Sequence, residues 1–485
     1  MQINHYVIST TLAVGLLAAS ALPAAAAQLP GDAASSPIVS AIENQLDANA
    51  SLPAAYAVVD GSEVTAGGRE GADLDTPFVI GSVSKTFTAL AVLAAVERGE
   101  ISLNAPVTEY LPDFELAAEV GDEPIRIRHL LNHTSGIAGI GCNLDGATPV
   151  ETLPERVEQL RDVTPVSEPG EKFAYCNVGF ALLALALEEN SATPFATVLQ
   201  SSVLTPLGMT RTYTDVPTAR ENGLAEGRST VMGMPVVRPE NPPAATLADG
   251  YLVSTVRDLS RYAQFQMGDG TTADGVKLLS PELLDEMHRA SVDIEAFAGT
   301  ELESYALGWF TGDVNGTTVV IHGGTTPRYH ATVAMVPSEQ RAVVVLVAGQ
   351  WLSGAGSTSV GAISTLVGIE AAVERLYSIS TAVLWFVALL LVLTVAISVW
   401  PSRRRRRALR RPRLLSGPLL VLAGIAIVSA LIIPAIPETG SLAGALQFGW
   451  ENTPDLLVLA LAWPLLLVIL GVRSIVDRAR FTPAS

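Results

Sequence analysis

Lysine is scarce in this 485-residue sequence: Lys85, Lys172 and Lys277 are the only three. There are two cysteines and six scattered histidines, and no CxxC or HExxH spacing occurs, so metal coordination has no support here. Basic residues as a whole are outnumbered, 30 Lys and Arg against 48 Asp and Glu, for a formal charge of −18. The imbalance is uneven. From residue 378 onward eleven basic and four acidic residues leave +7, so residues 1–377 carry −25. So acidic a portion argues against binding nucleic acid or anionic polymers and serves solubility.

Long apolar runs are abundant by contrast, and they lie at the ends. Residues 6–27 form an Ala-rich run with small residues at Ala25 and Ala27, which reads as a signal peptide cleaved after Ala27. No Lys or Arg precedes the run, so an uncleaved anchor is the alternative. No Cys follows it, which argues against a lipid-modified anchor. Three further runs cover 379–400, 414–433 and 456–472; the first two have the length of a membrane-crossing helix, and the third is near the lower limit.

Between the first two lies PSRRRRRALRRPR, with eight arginines, and the positive-inside rule assigns that loop to the cytoplasm. Taken alone the Arg run could be a nucleic-acid patch, but its place between two spans speaks for topology. Arg473, Arg478 and Arg480 follow the third run, whereas Glu438, Glu451 and Asp455 flank the loop before it. The order expected is a signal peptide (1–27), an extracytoplasmic domain (28–377) and a transmembrane helix (378–400). A cytoplasmic loop (401–413), a second helix (414–433), an external loop (434–455), a third helix (456–472) and a cytoplasmic tail (473–485) complete it. The lipid bilayer is thus an expected partner, and nucleic acid is not.

Cys142 and Cys176 both fall in the portion expected outside the cell, where oxidation is permitted. A disulfide between them is the expectation and a pair of free thiols the alternative. In the chain-entropy view such a bridge contributes about 3–4 kcal/mol.

Periodicity sketches the exported domain. Residues 55–71 alternate around Asp-Gly and Gly-Gly, which predicts a hairpin. Residues 78–80 read as a short strand, and 82–98 as a helix ended by Gly99. Further helices are expected at 127–132, 178–189, 255–267 and 281–290, and strands at 317–324, 330–337 and 341–349. Residues 353–377 end in a helical pattern leading to the first span. Strands at both ends with helices between them predict an α+β fold. It is an antiparallel sheet joining the two ends of the domain, flanked by helices, with an inserted all-helical region and a C-terminal three-helix transmembrane segment.

The stretch FVIGSVSKTFTAL, residues 78–90, puts Ser82 and Lys85 at i and i+3, on one face where strand gives way to helix. A serine hydroxyl is a poor nucleophile until a base takes its proton. Burial disfavours an ammonium, so a lysine inside an apolar helix can be that base. At the helix start the backbone N–H of Ser82 is also free to donate. Alone the pair is weak, since a capping Ser beside an unrelated Lys has the same form.

Two other stretches add to it. PGEKFAYCN offers Tyr175 and Asn177 just before a helix, a hydroxyl for proton relay and an amide to hold lysine or substrate. HGGTT puts His322 and two glycines at the end of a strand, where a bare edge can seat substrate and supply a second backbone donor. The plainer alternatives are Tyr175 as a core aromatic and His322 as a strand residue.

The order S-x-x-K, Y-x-N, H-x-G, separated by 93 and 147 residues, resembles the serine β-lactamase and penicillin-binding family, class C type. The stretches LLNHTSGI, LADGYLVSTVRDLSRY and YALGWF resemble it too, over about residues 36–349. That resemblance implies a β-lactamase/transpeptidase-like fold and a two-step acyl transfer without metal or cofactor. By the same resemblance Ser82 is the acylated nucleophile, Lys85 its base, Tyr175 the proton carrier and Asn177 the residue orienting Lys85 and substrate. His322 steers protons or charge, and the Ser82 and Thr325 N–H groups form the oxyanion hole beside Gly324.

Two departures bear on substrate. Gly323 stands where relatives that hold a substrate carboxylate often have Thr or Ser, and Arg328 stands where Gly is common; Thr325, Thr326 or Arg328 are the available substitutes. Efficient β-lactam hydrolysis is therefore not expected. The reading reached is a membrane-tethered extracytoplasmic serine acyl hydrolase acting on D-amino-acid peptides of the cell wall or on small esters and amides. A β-lactamase, or a penicillin-binding sensor signalling through its membrane helices, are the alternatives. No motif specifies an oligomeric state.

Overall fold

The structure, a computed structural model, describes residues 37–47, 52–138, 142, 152–231, 234–294, 302–349, 361–362 and 366–367. The expected signal peptide, the three apolar runs and the Arg-rich loop lie outside them. Among the described residues no helix is long and apolar enough to cross a membrane.

Among the described residues, helices α1 (Pro37–Asp47), α2 (Ser84–Glu97), α3 (Ile127–Leu131), α4 (Leu153–Glu158), α5 (Asn177–Ser191), α6 (Phe195–Leu199), α7 (Val216–Glu221), α8 (Val256–Gln266) and α9 (Pro281–His288) accompany twelve strands. The strands are β1 (Ala54–Asp60), β2 (Glu63–Arg69), β3 (Phe78–Val79), β4 (Arg228–Val231), β5 (Met234–Val237) and β6 (Val253–Ser254). They continue as β7 (Val292–Asp293), β8 (Ser304–Tyr305), β9 (Phe310–Val314), β10 (Thr317–Thr325), β11 (His330–Val336) and β12 (Arg341–Val347). Eight of them form one antiparallel sheet in the order β2-β1-β12-β11-β10-β9-β8-β7; β3 pairs with β6, and β4 with β5. The pairing of β1 with β12, Ala54 opposite Val347 and Asp60 opposite Arg341, closes the expected junction between the ends of the domain.

Strand alternation assigns the two sheet faces. Ala55, Ala57 and Val59 point with Ala331, Val333, Val344 and Leu346 into the main core, while Tyr56, Val58, Val343 and Val345 face a second cluster with Val39, Ile42 and Leu46 of α1. With both faces covered, β12 reads as the unbroken run RAVVVLV instead of an alternating one. Each such buried Val or Leu contributes about 1.5–3 kcal/mol.

Helix α2 has no solvent-facing stripe along most of its length: every residue from Ser84 to Ala95 is buried. It ends at Arg98, and Gly99 takes the left-handed conformation expected after a helix (φ 73°). The inserted helical region is α3 to α7. One detail differs from the sequence expectation. The helix drawn from residue 82 begins as a single 3-10 turn, Gly81–Val83, and turns α-helical only at Ser84.

Candidate active site

The turn that carries Ser82 is fixed from two sides. The Ile80 N–H donates to the Leu252 carbonyl (3.0 Å), and the Ser84 hydroxyl donates to the Gly81 carbonyl (2.7 Å) while accepting from the Leu252 N–H (3.1 Å). On its other flank lies β10. Strand β9 pairs with β10 only as far as Ile321, whereas β11 continues to Thr325, so residues 322–325 keep one edge bare of a strand. The Ser82 turn packs on the sheet face beside that edge. A Cβ on Gly324 would overlap the Ile80 carbonyl and lie 2.8 Å from the Ser82 nitrogen, and a Cβ on Gly81 (φ 54°) would overlap the Thr325 nitrogen. Glycine at both positions is what lets the two backbones approach this closely. The Ser82 N–H belongs to a first helical turn, which has no carbonyl one turn behind it. The main-chain nitrogens of Ser82 and Thr325 are thus brought near one another.

Lys85 is fully buried at the start of α2. Its Nζ lies 3.2 Å from Ser82 Oγ and donates to the Asp249 carbonyl at 2.6 Å. The ring centres of Tyr175 and Phe180 lie 4.9 and 5.7 Å from it, within the range of a cation–π contact. Nucleophile, amine and Tyr175 therefore meet as expected. Asn177 opens α5 two residues beyond Tyr175.

The Tyr175 turn is bolted to His133. The Cys176 N–H donates to His133 Nδ1 (3.0 Å), the Ala174 N–H donates to the His133 carbonyl (2.7 Å), and the His133 and Tyr175 ring centres are 4.3 Å apart. His133 holds a left-handed backbone (φ 58°), rare for a non-glycine residue. Its imidazole is pushed well below the ordinary range by burial, and further by the Lys85 charge. Cys142 and Cys176 form the expected disulfide, with Cα atoms 4.4 Å apart, so the middle residue of Y-x-N is covalently tied.

His322 lies in this cluster, buried and without charge at neutral pH. Its Nδ1–H donates to the Gly323 carbonyl (2.7 Å), leaving Nε2 to accept from the Tyr305 hydroxyl (3.2 Å). Burial, then the Lys85 charge, push its pKa down to about 3, against the Gly323 hydrogen bond that favours the proton. Arg328 is also buried, with Nη1 3.4 Å from Glu240 Oε1, and the Thr326 hydroxyl donates to Glu240 Oε2 at 2.8 Å. Burial raises the Glu240 carboxyl, and Arg328 opposes that shift. Thr325 Oγ1 lies 3.2 Å from His330 Nδ1. Among the described residues no group of three or more His, Cys, Asp or Glu side chains is arranged to hold a metal ion.

The family profile described as Beta-lactamase matches residues 39–353. The chain belongs to the beta-lactamase family. Protein flp of Staphylococcus aureus (strain N315) is 26% identical over 381 residues, covering 75% of this chain and 72% of that one. Penicillin-binding protein 4 of Amycolatopsis lactamdurans is 28% identical over 284 residues, 57% of this chain and 73% of its own length. Among solved structures, the octameric penicillin-binding protein homologue from Pyrococcus abyssi superposes with a TM-score of 0.59 at 28% identity, over 68% of this chain and 77% of that one. Serine hydrolases of the beta-lactamase and penicillin-binding type are the group to which fold and family assign it.

Four contributors to this beta-lactamase-family site had no role assigned from sequence. His133 and Tyr305 sit in the stretches LLNHTSGI and YALGWF, whose likeness to the family was the available signal. Asp249 acts through its carbonyl, which any residue could supply. Arg156, bound to Asp249, lies in ETLPERVEQL, a stretch with no chemical motif.

Proposed function

We propose that this protein is a membrane-tethered serine acyl hydrolase whose catalytic domain faces outward and which works through an ester on Ser82. The observation that carries the proposal is Lys85 Nζ at 3.2 Å from Ser82 Oγ, buried against aromatic rings beside the bare edge of β10. Lys85, once neutral, takes the Ser82 proton as the oxygen attacks the acyl carbon. The charge that develops on the carbonyl oxygen falls between the Ser82 and Thr325 N–H groups. Tyr175 passes the proton to the departing amine or alcohol, whose bond to the acyl carbon breaks. Water then attacks the ester and frees Ser82. Losing one oxyanion donor in such a site costs about 10²–10³ in rate.

The acyl donors are D-amino-acid peptides of the cell wall or small esters and amides. Within that range three features favour donors without a carboxylate on the leaving side. Gly323 has no hydroxyl to offer, His322 is uncharged, and Glu240 balances Arg328. The tether rests on the apolar runs at 379–400, 414–433 and 456–472 and on the arginines between the first two.

Intact mass of the full chain in detergent, after a small fluorophosphonate and separately after benzylpenicillin, tests the reading beside Ser82→Ala. One phosphonate per chain is expected, absent from the variant, with little persistent penicilloyl adduct. A wild-type chain that accepts neither reagent would sink the proposal. A stable stoichiometric penicilloyl adduct would keep the acyl-enzyme and replace hydrolysis by penicillin sensing.

A further inference from the structure

The shortest hydrogen bond of Lys85 goes to a main-chain oxygen, the carbonyl of Asp249 at 2.6 Å, and the bond to Ser82 is the longer one. The direction of that carbonyl therefore sets where the amine points. Asp249's carboxylate is engaged by a different partner. Arg156, on α4, lies 2.6 Å from Oδ1 through Nη1 and 3.1 Å from Oδ2 through Nη2, and Nη1 also donates to the Ala245 carbonyl at 2.8 Å. One guanidinium thus spans both ends of the 245–249 turn. Thr88 of α2 holds the carbonyl between them, that of Ala248, at 2.7 Å. Arg156 is 0% exposed and Asp249 3% exposed, so the pair is wholly inside the domain.

A buried ion pair is a poor choice for stability alone. Its desolvation cost cancels much of its attraction, and apolar replacements of similar volume are often as stable. What a bidentate fork does supply is direction, since two parallel N–H···O bonds fix the carboxylate plane and the backbone it hangs from. Ser82 Oγ and the rings of Tyr175 and Phe180 lie around Lys85 Nζ, and the buried, uncharged His133 and His322 are near enough for its charge to lower their pKa values.

We infer that the buried Arg156–Asp249 pair is a positioning device for the general base: by orienting the Asp249 carbonyl it holds Lys85 Nζ on Ser82 Oγ. The inference rests on the reading of Lys85 as the base that activates Ser82. Arg156 and the Asp249 side chain touch no substrate. They act through one carbonyl and one amine.

The test uses the full chain in detergent and three variants. Arg156→Met leaves a buried carboxylate alone and can fail to fold. Arg156→Met combined with Asp249→Ala removes both charges together and keeps the core neutral. Arg156→Lys retains the charge without the fork. Circular dichroism reports folding, and stoichiometric labelling with a fluorophosphonate reports the active fraction. The quantities read are the rate of Ser82 phosphonylation per active site and, for a p-nitrophenyl ester, kcat against KM. The double variant is expected to fold, to label about tenfold to a hundredfold more slowly, and to lose kcat with little change in KM, as a displaced base requires. Arg156→Lys is expected between the two. A folded double variant that labels within about twofold of wild type per active site overturns the inference, as does a loss confined to KM. Phosphonylation reads Ser82 without the natural substrate. A chain that labels normally but cleaves no ester or amide therefore contradicts the hydrolase reading and leaves this one standing.

Discussion

At the scale of single residues, Tyr175 separates chemistry from packing. Its ring lies over Lys85, 4.3 Å from the His133 ring and stacked at 6.5 Å on Phe310, contacts that need only the ring. The hydroxyl is what proton transfer needs. Tyr175→Phe should therefore keep the fold, with a thermal midpoint within a few degrees of wild type, while kcat for an ester substrate falls about 10²–10⁴-fold. Melting curves and initial rates on one preparation decide it; a variant with near wild-type kcat would remove Tyr175 from the proton path. Ser82, Lys85, Tyr175 and His322 were readable in the sequence because their chemistry resides in side chains at short, ordered spacings. Asp249 was not, since a carbonyl has no letter of its own. Nor was the neutrality of His322, which follows from enclosure by residues far apart in the chain.

Among the elements, the deciding contact is strand against turn. The Ser82 turn and β10 meet backbone to backbone at Gly81 and Gly324, with no side chain between them to yield. Gly324→Ala must therefore push the turn from the strand, separating the two N–H donors while leaving Lys85 on α2 and Tyr175 on the turn before α5. The expected result is a loss of about 10²–10³ in kcat, as when one oxyanion donor is removed, with phosphonylation slowed alongside. Unchanged turnover in a folded Gly324→Ala protein would place the oxyanion elsewhere. The longer elements around this contact were legible: the hairpin at 55–71, the helix ended by Gly99 and the three closing strands each have strong periodicity. The short ones were not. Strands β3 and β6 have two residues each, and β4 with β5 forms a small hairpin; such pieces are set by neighbours, not by their own pattern. The 3-10 turn at Gly81–Val83 escaped for the same reason, its form being dictated by β10.

For the molecule as a whole, burial of histidine makes stability depend on pH. The described histidines all have pKa values below the ordinary 6.5. Burial drives His322 to about 3, His288 and His330 to about 4, and His133 well down, and it also lowers His129. The unfolded chain takes up these protons below about pH 6.5 and the folded chain does not. Their contribution is thus complete above 6.5 and is lost as pH falls from there toward 4. Glu240 and Asp258 work against this, since burial raises their carboxyls and the folded form takes those protons first. Three imidazoles displaced by two units or more outweigh them, at roughly 1–2 kcal/mol per group for each pH unit. Urea unfolding of the full chain at pH 7.5 and pH 4.5 should show a drop of at least about 3 kcal/mol at the lower pH. His288→Asn should make that slope shallower, because His288 bonds Gln266 and packs edge-on against Trp309 and has no role in the proposed acyl transfer. If stability instead stays flat or rises on acidification, the histidines are not held neutral, and the uncharged state ascribed to His322 falls with it.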